Sequence, residues 1–228
     1  MDIKDRDSVL VIADTHLPYE KKGYLDFCLD IQKRVKCGTV VHIGDLVDNA
    51  SLSCNHDTDP NGRSPKDEIE EAKLHLRDWY KAFPKVFFCL GNHDRRVDLK
   101  GKHVGLPACV FKPFRQIWEL PKGWKDAFSH EIFGVRYQHG TGYSGETAHL
   151  KAAYNNRQSS VIGHTHSGAG IGYLANEKDC CFAMNVGSGI DRHKIAFEYG
   201  KEYRKKPIVS AGVVTDHGKY CQIFQMPI

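Results

Sequence analysis

The sequence predicts an α/β fold, a four-layer sandwich in which two mixed β-sheets lie face to face and are flanked by helices. The first half alternates strand and helix patterns, which is typical of a parallel sheet, whereas the second half has short strand-like segments with few helices between them. Polar residues directly follow several of these segments. Since α/β sheets place their sites at the carboxyl ends of strands, we expect a functional site there.

Strand and helix patterns alternate through the first half of the chain. Leu25, Cys28 and Leu29 recur at helical spacing, and Gly38 ends that helix. Ser64 and Pro65 mark the start of a second helix, because serine caps free backbone N–H groups and proline fits the first helical position. The predicted elements are a strand at about 8–13, a helix near 24–36, a strand from residue 39, a helix ending near residue 83 and a strand over 85–90.

Short apolar segments dominate the second half. Asp216, His217 and Gly218 are typical of a hairpin turn between the last two of them. A helix is expected near 145–155, after a glycine-rich loop. The predicted strands lie near 131–138, 160–163, 180–186, 195–199, 207–215 and 219–225.

Composition limits the class of protein. The length of 228 residues suits one domain over 1–228, and the formal net charge of +4 is too small to indicate nucleic-acid binding by itself. The eight cysteines form no Cys-x-x-Cys pair, so we expect free thiols in a reducing compartment, with Cys28, Cys89 and Cys109 buried. The charged amino terminus lacks a secretion signal, and no apolar run approaches the ~20 residues that cross a membrane. We therefore expect a cytoplasmic protein without a membrane partner.

Groups that bind metal ions follow the strand-like segments. Carboxylate, imidazole and amide groups at one edge of a sheet form a ligand set for two divalent cations, an arrangement that hydrolyses phosphate esters. Mixed oxygen and nitrogen ligands suit Mn, Fe or Zn better than Ca or Mg. Each motif alone is common in surface turns, and only their combination indicates a site. The motifs are Asp14-Thr15-His16, Gly44-Asp45, Gly91-Asn92-His93-Asp94, His139-Gly140 and Gly163-His164-Thr165-His166.

These motifs, with Asp48 after Asp45, resemble the signature of the calcineurin-like metallophosphoesterase superfamily, from residue 14 to at least residue 166. The resemblance implies a small prokaryotic or viral-type member with a β-sandwich flanked by helices. It also implies two divalent transition-metal ions, with Mn preferred and Fe or Zn as alternatives. By this resemblance the first metal takes Asp14, His16 and His166, the second takes Asn92, His139 and His164, and Asp45 bridges both.

The resemblance further implies catalytic roles. The reaction would be hydrolysis of a phosphate ester, in which a hydroxide bridging the metals attacks phosphorus in line. His93 would face the phosphate or protonate the leaving oxygen, and Asp94 would orient His93. Asp48 would support the site from behind the ligands.

One departure from the superfamily pattern bears on the substrate. Phosphoprotein phosphatases of this superfamily usually carry an arginine where this chain has Asn49. Its absence favours phosphodiesters, with a nuclease or a nucleotide-directed enzyme as the expected activity and nucleic acid or a nucleotide as the partner. A phosphomonoesterase acting on proteins or small molecules is the alternative, and a non-catalytic metal-binding interaction module is the alternative of another class. Arg95 or Arg96 could supply a substitute guanidinium, and Arg95 and Asn92 are candidates for substrate binding.

Several peripheral residues have two interpretations. The polar loop over 49–66 could form one wall of the substrate cleft, with His56 binding substrate, or could be a solvated insertion. Tyr143 could stack on a base, although packing of its own loop is the simpler role. Core packing is favoured over a base-stacking platform for the aromatic residues Phe111, Phe114, Trp118 and Trp124. The substrate, the native metals and the oligomeric state are open at this point.

Overall fold

Eleven β-strands in the described part of the chain form two mixed sheets. The computed structural model describes residues 7–53, 64–191, 193 and 204–227. Four strands of the first sheet run parallel in chain order, and the last two strands join them as an antiparallel hairpin. In the second sheet, three parallel strands lie between two antiparallel edge strands.

The strand order is β11-β10-β1-β2-β3-β4 in the first sheet and β5-β6-β7-β9-β8 in the second. The first sheet consists of β1 (Val9–Ile12), β2 (Thr39–His42), β3 (Val86–Cys89), β4 (Trp124–Ala127), β10 (Ser210–Thr215) and β11 (Tyr220–Gln225). The second sheet consists of β5 (Ser129–Ile132), β6 (Val135–Gln138), β7 (Ser160–Ile162), β8 (Gly170–Ala175) and β9 (Cys180–Asn185).

Helices cover the outer face of each sheet. The helices are α1 (Tyr24–Val35), α2 (Pro65–Ala82), α3 (Arg96–His103), α4 (Phe114–Ile117) and α5 (Ala148–Asn156), with 3-10 turns at Ala50–Leu52 and Ala108–Val110. Helix α1 contacts β1, Trp79 of α2 contacts His42 of β2, and α5 contacts β7, β8 and β9. Since buried residues of both sheets form one apolar cluster between them, the predicted α/β sandwich of two mixed sheets flanked by helices is confirmed.

Helix α2 shows how local sequence sets the boundary of an element. The Ser64 hydroxyl accepts a hydrogen bond from the backbone N–H of Asp67 at 3.2 Å, and Pro65 occupies the first helical position. Ala72, Leu76 and Trp79 recur on one face of the helix and are about 1% exposed. The predicted start and end of this helix are confirmed.

The aromatic residues between 111 and 124 divide between the core and its edge. Trp118 and Trp124 are each 1% exposed, and the Trp124 indole N–H donates to the Phe83 carbonyl at 2.8 Å. Phe114 stacks against Phe88, with ring centroids 5.5 Å apart. Trp118, Trp124 and Phe114 therefore pack in or against the core, as predicted. Phe111 instead lies against Gly101 of α3.

The predicted strand over 131–138 is wrong, because the chain folds there into the hairpin β5–β6. Phe133 and Gly134 take positive φ values of 53° and 70°, which reverses the chain between two short strands. Strands β4 and β8 were not predicted, since β4 carries charged residues and β8 contains two glycines. The segment predicted near 195–199 lies outside the described residues.

The cysteines follow the prediction with one exception. All seven cysteines within the described residues are free, and Cys28 and Cys89 are buried as expected. Cys109 is exposed because it lies in a 3-10 turn at the surface, so its predicted burial is wrong. None of the described helices combines the length and the apolar character that crossing a membrane requires.

Candidate metal centre

The predicted ligands lie at the carboxyl ends of five strands that belong to both sheets. Strands β1, β2 and β3 end just before the motifs at residues 14, 45 and 92, while β6 and β7 end just before those at residues 139 and 164. The face-to-face packing therefore joins two sets of strand ends, one from each sheet. The residues brought together are Asp14, His16, Asp45, Asn92, His93, His139, His164 and His166.

The loops that carry the ligands are tightly constrained. His16, Asp45 and His164 have φ values of 51°, 47° and 66°, in the left-handed region that residues other than glycine rarely adopt. A Cβ atom at Gly91 would lie 2.1 Å from Oδ1 of Asp45, and one at Gly163 would lie 2.1 Å from Oδ1 of Asp14. Glycine precedes these ligands because any side chain would displace a carboxylate.

The first group of ligand atoms comes from both sheets. Nε2 of His16 lies 3.0 Å from Nε2 of His166, which in turn lies 3.3 Å from Oδ2 of Asp14. Oδ2 of Asp45 lies 3.7 Å from Nε2 of His16. These four side chains offer ligand atoms that all lie within 4.8 Å of one another, a spacing suited to one shared cation.

The second group shares Asp45 with the first. Nε2 of His139 lies 3.1 Å from Oδ2 of Asp45, 3.0 Å from Oδ1 of Asn92 and 3.2 Å from Nδ1 of His164. Asp45 therefore occupies the position between the two groups that the sequence resemblance implied. The grouping follows the predicted division of ligands between two metals.

The donor chemistry of the cluster fits two divalent transition-metal cations. Imidazole nitrogens of His16 and His166 face each other in a site where Asp14 and Asp45 are at most 1% exposed. Two lone pairs that meet at such a distance repel each other unless a proton or a cation lies between them. Nitrogen and carboxylate oxygen together are the ligands of Mn, Fe and Zn rather than of Ca or Mg.

Charge within the cluster favours ionised carboxylates. Burial would raise the pKa of Asp45, but the nearby charges of His139 and His93 outweigh burial and hold it well below its ordinary value. Burial and the charge of His93 lower the pKa of His16 to about 4. Asp45 and His16 therefore favour the ionised carboxylate and the neutral imidazole, the protonation states in which such groups bind metals. Asp45 and Asp14 instead raise the pKa of His139 to about 9 despite its burial, so metal binding at His139 would release a proton.

Asp48 links a metal ligand to His93. Its Oδ1 atom lies 2.7 Å from Nδ1 of His16 and 2.9 Å from Nδ1 of His93, and Asp48 is fully buried. A carboxylate behind a ligating histidine fixes the ring orientation and leaves the other ring nitrogen facing the metal. The support that the sequence resemblance implied for Asp48 is thus directed at these two rings.

Asp94 does not contact His93 in the way the sequence suggested. Its carboxylate accepts hydrogen bonds from the backbone N–H groups of Asp45, Leu46 and Gly91, at 2.9, 2.9 and 2.7 Å. Burial and the charge of Asp45 raise the pKa of Asp94 to about 7. The chain turns after His93 and sends the carboxylate back to the loop that presents Asp45, so the group beside the His93 ring is Asp48.

The two arginines after Asp94 point in different directions. Arg96 donates from Nη1 to the Asp48 carbonyl at 2.9 Å, and its Nη2 lies 3.2 Å from Nε2 of His93. The Arg95 guanidinium lies over the ring of Phe128, 5.2 Å from its centroid. Arg96 is therefore the guanidinium adjacent to the cluster. His56, the other candidate for substrate binding, lies outside the described residues.

His42 is a buried histidine beside the site whose role is structural. The Thr15 hydroxyl donates its hydrogen to the Leu46 carbonyl at 2.8 Å. Towards His42 it can therefore act only as an acceptor, so the proton of His42 lies on Nε2, 3.1 Å away. Nδ1 of His42 then accepts from the backbone N–H of Gly44 at 3.2 Å. This neutral ring satisfies both of its nitrogens, and burial lowers its pKa to about 3.

Replacing His42 by leucine is expected to lower the free energy of unfolding by about 1–3 kcal/mol, because the Gly44 N–H group loses its acceptor inside the core. The folded state keeps His42 neutral while the unfolded chain takes up a proton below pH 6.5. The difference in the free energy of unfolding between parent and variant should therefore narrow as the pH falls from 6.5 towards 4. Urea unfolding with chelator measures both effects, and His103→Leu, at an exposed helix end, is the control. A difference in the free energy of unfolding that widens on acidification would contradict the neutral state assigned to His42 in the folded protein.

Comparison with known proteins identifies the family. The model of the calcineurin-like phosphoesterases matches residues 8–168, which is most of the chain and includes every residue of the cluster. This chain belongs to the calcineurin-like phosphoesterase family. The resemblance predicted from the motifs is confirmed. The chain is thus a phosphoester hydrolase of a family that uses divalent metals, and it contains a His/Asp cluster that could bind them.

Individual relatives of this phosphoesterase are distant. The Gene 54 protein of Mycobacterium phage L5 is 29% identical over 209 residues, which span 79% of this chain and 78% of the phage protein. A solved structure of an archaeal phosphodiesterase has a TM-score of 0.48 at 16% identity and covers 96% of this chain and 99% of its own. A phosphoesterase from E. coli has a TM-score of 0.45 at 15% identity and covers 92% of this chain and 88% of its own.

Proposed function

We propose that this phosphoesterase hydrolyses phosphodiesters, with a nucleic acid or a nucleotide as its substrate, and that it uses two Mn ions, for which Fe or Zn could substitute. The observation that carries the proposal is the pair of ligand groups that share Asp45, with His93 directly beside them. Two bound cations would polarise the phosphoryl group and activate water. Asp14, His16 and His166 would hold one cation, Asn92, His139 and His164 would hold the other, and Asp45 would contribute to both.

The preference for diesters rests on what occupies position 49. The Asn49 side-chain amide donates to the His93 carbonyl at 3.0 Å, and Asn49 is only 2% exposed. A buried amide turned into the loop offers no positive charge to the three free oxygens of a monoester, which share two negative charges when fully ionised. A diester carries one negative charge on its phosphoryl group and needs less compensation.

His93 is the proposed acid that protonates the leaving oxygen. Its ring donates from Nδ1 to the Asp48 carbonyl at 2.8 Å, and Nε2, which lies 3.2 Å from Nη2 of Arg96, is the nitrogen proposed to carry the transferred proton. Burial would lower the pKa of His93, but the carboxylates of Asp45 and Asp48 outweigh burial and raise it above the ordinary value. A raised pKa keeps the ring protonated close to neutral pH, as a general acid requires.

Arg96 is the proposed contact for the phosphoryl oxygens and for His93. Arg96→Lys is expected to lower kcat/KM on the order of 10-fold, since an ammonium group cannot contact both the Asp48 carbonyl and a phosphoryl oxygen as a planar guanidinium can. Steady-state kinetics on a bis-ester would measure the loss. Arg95→Lys is the comparison, because Arg95 was the candidate from sequence and lies over Phe128. A larger loss of kcat/KM in Arg95→Lys than in Arg96→Lys would indicate that Arg95 is the residue that contacts the substrate.

The diester preference can be tested with two chromogenic substrates. We expect bis(p-nitrophenyl) phosphate to be hydrolysed faster than p-nitrophenyl phosphate when Mn is present, and neither to be hydrolysed after chelation. Preference for the monoester would place this chain among the phosphatases despite Asn49. Metal binding without hydrolysis of either ester would favour a metal-binding interaction module.

A further inference from the structure

Phe128 is an exposed aromatic residue at the point where the chain passes from the first sheet to the second. It connects the last residue of β4 to the first residue of β5, and it is 63% exposed. On one side, the Ala127 carbonyl accepts the backbone N–H of Leu90 at 2.8 Å. On the other side, Ser129 pairs with Gln138 of β6. The Phe128 backbone is therefore held between the carboxyl ends of β3 and β6.

These two strands lead to ligands of the second group. Asn92 lies in the loop after β3, and His139 directly follows β6, with Oδ1 of Asn92 3.0 Å from Nε2 of His139. One step along the chain spans at most about 3.8 Å and antiparallel partners lie about 5 Å apart, so the Cα atoms of Phe128 and His139 are within about 13 Å of each other. Their side chains, with one nucleotide between them, can bridge such a distance.

Arg95 covers one face of the Phe128 ring. Its Cζ atom lies 5.2 Å from the ring centroid, which is within the range of a cation–π interaction. Since Phe128 is 63% exposed with the guanidinium in place, the ring keeps an open face towards solvent. An open aromatic face backed by a planar cation is a surface on which another flat ring can stack.

A similar pair elsewhere shows that position is what distinguishes Phe128. Cζ of Arg157 lies 5.5 Å from the ring centroid of Tyr154, which is 62% exposed. That pair lies at the end of α5, just before β7 begins, whereas the metal ligands follow the carboxyl ends of the strands. An exposed ring beside an arginine is therefore an ordinary surface feature, and only the Phe128 ring lies next to the strand ends of two ligands among these two pairs.

We propose that the Phe128 ring stacks on the nucleobase of the nucleoside that keeps the phosphate after cleavage. The ring of His93, the proposed acid, packs edge-on against that of His16 in the first group, with centroids 4.5 Å apart. The leaving oxygen is therefore on the side of the first group, and the substituent that stays on phosphorus extends towards Phe128 on the side of the second group.

Stacking on the face of a base does not read its edges, so this contact favours a substrate with a base over one without, whatever the base is. The inference rests on the proposed phosphodiesterase activity. It adds to that activity the part of the substrate that is recognised beside the cleaved phosphate.

The test compares two diesters that share one leaving group. The p-nitrophenyl ester of thymidine 5′-phosphate and methyl p-nitrophenyl phosphate both release p-nitrophenolate, but only the first has a base. We expect the parent protein with Mn to have the higher kcat/KM for the thymidine ester, and Phe128→Ala to lower the ratio of the two kcat/KM values about 10-fold, mainly through KM. Tyr154→Ala, which removes an equally exposed ring beside an arginine, is the matched control and should keep the parental ratio.

A second variant reports on stacking directly. Phe128→Trp keeps an aromatic face, so it should retain the parental preference for the thymidine ester. It also places an indole at the surface, whereas Trp79, Trp118 and Trp124 are each 1% exposed. Thymidine 5′-phosphate should quench the fluorescence of this indole, and methyl phosphate, which has no base, should not. Titration of the parent protein with both ligands gives the background from the buried tryptophans.

Hydrolysis by the parent protein separates the two proposals. If the parent hydrolyses neither diester, the phosphodiesterase proposal fails and the stacking inference fails with it. If the parent hydrolyses both diesters with equal kcat/KM, only the stacking inference is overturned. Equal losses on both diesters in Phe128→Ala would also overturn it, because the ring would then act on the metal centre or on the leaving group. The same holds if Tyr154→Ala lowers the ratio as much, or if both ligands change the fluorescence of Phe128→Trp alike.

Discussion

Replacing Asp45 by asparagine is expected to lower phosphoesterase kcat/KM by on the order of 10³-fold, the equivalent of several kcal/mol of transition-state stabilisation. Asp45 is the carboxylate common to both ligand groups, and its Oδ1 atom also accepts the backbone N–H of His93 at 2.8 Å. Asparagine keeps the size of the side chain but removes the negative charge that holds two cations together. Steady-state hydrolysis and metal content per chain, measured by mass spectrometry, would record the two effects.

The control for Asp45 is Asp30→Asn, which removes an exposed carboxylate from α1 that pairs with Arg34. Asp30→Asn should retain parental activity and metal content. Near-parental hydrolysis by Asp45→Asn with its full metal content would show that the carboxylate between the two groups is not essential. The proposed two-metal arrangement would then be wrong.

Replacing Asp48 by asparagine is expected to reduce activity about 10- to 100-fold, the usual cost of losing a carboxylate behind a ligating histidine. Asp48 contacts the rings of both His16 and His93. Its loss removes one of the two charges that raise the pKa of His93. Since the proposed acid must be protonated, a lower pKa means that activity is lost at a lower pH. The alkaline limb of the profile of kcat against pH should therefore shift towards acid.

The shift of the alkaline limb distinguishes an effect of Asp48 on His93 from a general loss of stability. When metal is removed, Asp48→Asn should unfold at a urea concentration close to that of the parent, because asparagine still offers an acceptor to the two imidazoles. Asp94→Asn is the matched comparison, since Asp94 is equally buried but binds backbone amides. We expect Asp94→Asn to lower stability without moving the pH profile. An unmoved alkaline limb in Asp48→Asn would remove Asp48 from the proton chemistry.

The candidate metal ligands could be located from the sequence because strand ends are local features. An apolar run followed by a carboxylate or an imidazole is visible within about ten residues, and parallel strands bring such ends to one edge. The positions of Asp14, Asp45 and His164 after strand ends can be predicted in this way without knowledge of any tertiary contact. The β5–β6 hairpin is not predicted because nothing in its apolar pattern distinguishes one long strand from two short strands joined at Phe133 and Gly134.

The partners of His93 could not be read from sequence in the same way. Asp94 is adjacent to His93 in the chain, yet Asp48, 45 positions earlier in the chain, contacts the ring. Arg95 and Arg96 are neighbours, but successive residues at the start of a helix point about 100° apart, so only Arg96 reaches His93. The sequence gives two adjacent residues the same distance from a motif. The direction in which the backbone turns decides which of their side chains faces the site.

The sequence by itself determined the family, the class of fold and the set of candidate metal ligands, because these depend on residue type and on spacing along strands and loops. Only the tertiary structure decided that Asp48 contacts both His16 and His93 and that Arg96 lies beside His93. These residues follow three different strands of the first sheet. Their proximity depends on how the loops after those strands turn, and no local pattern encodes those distances.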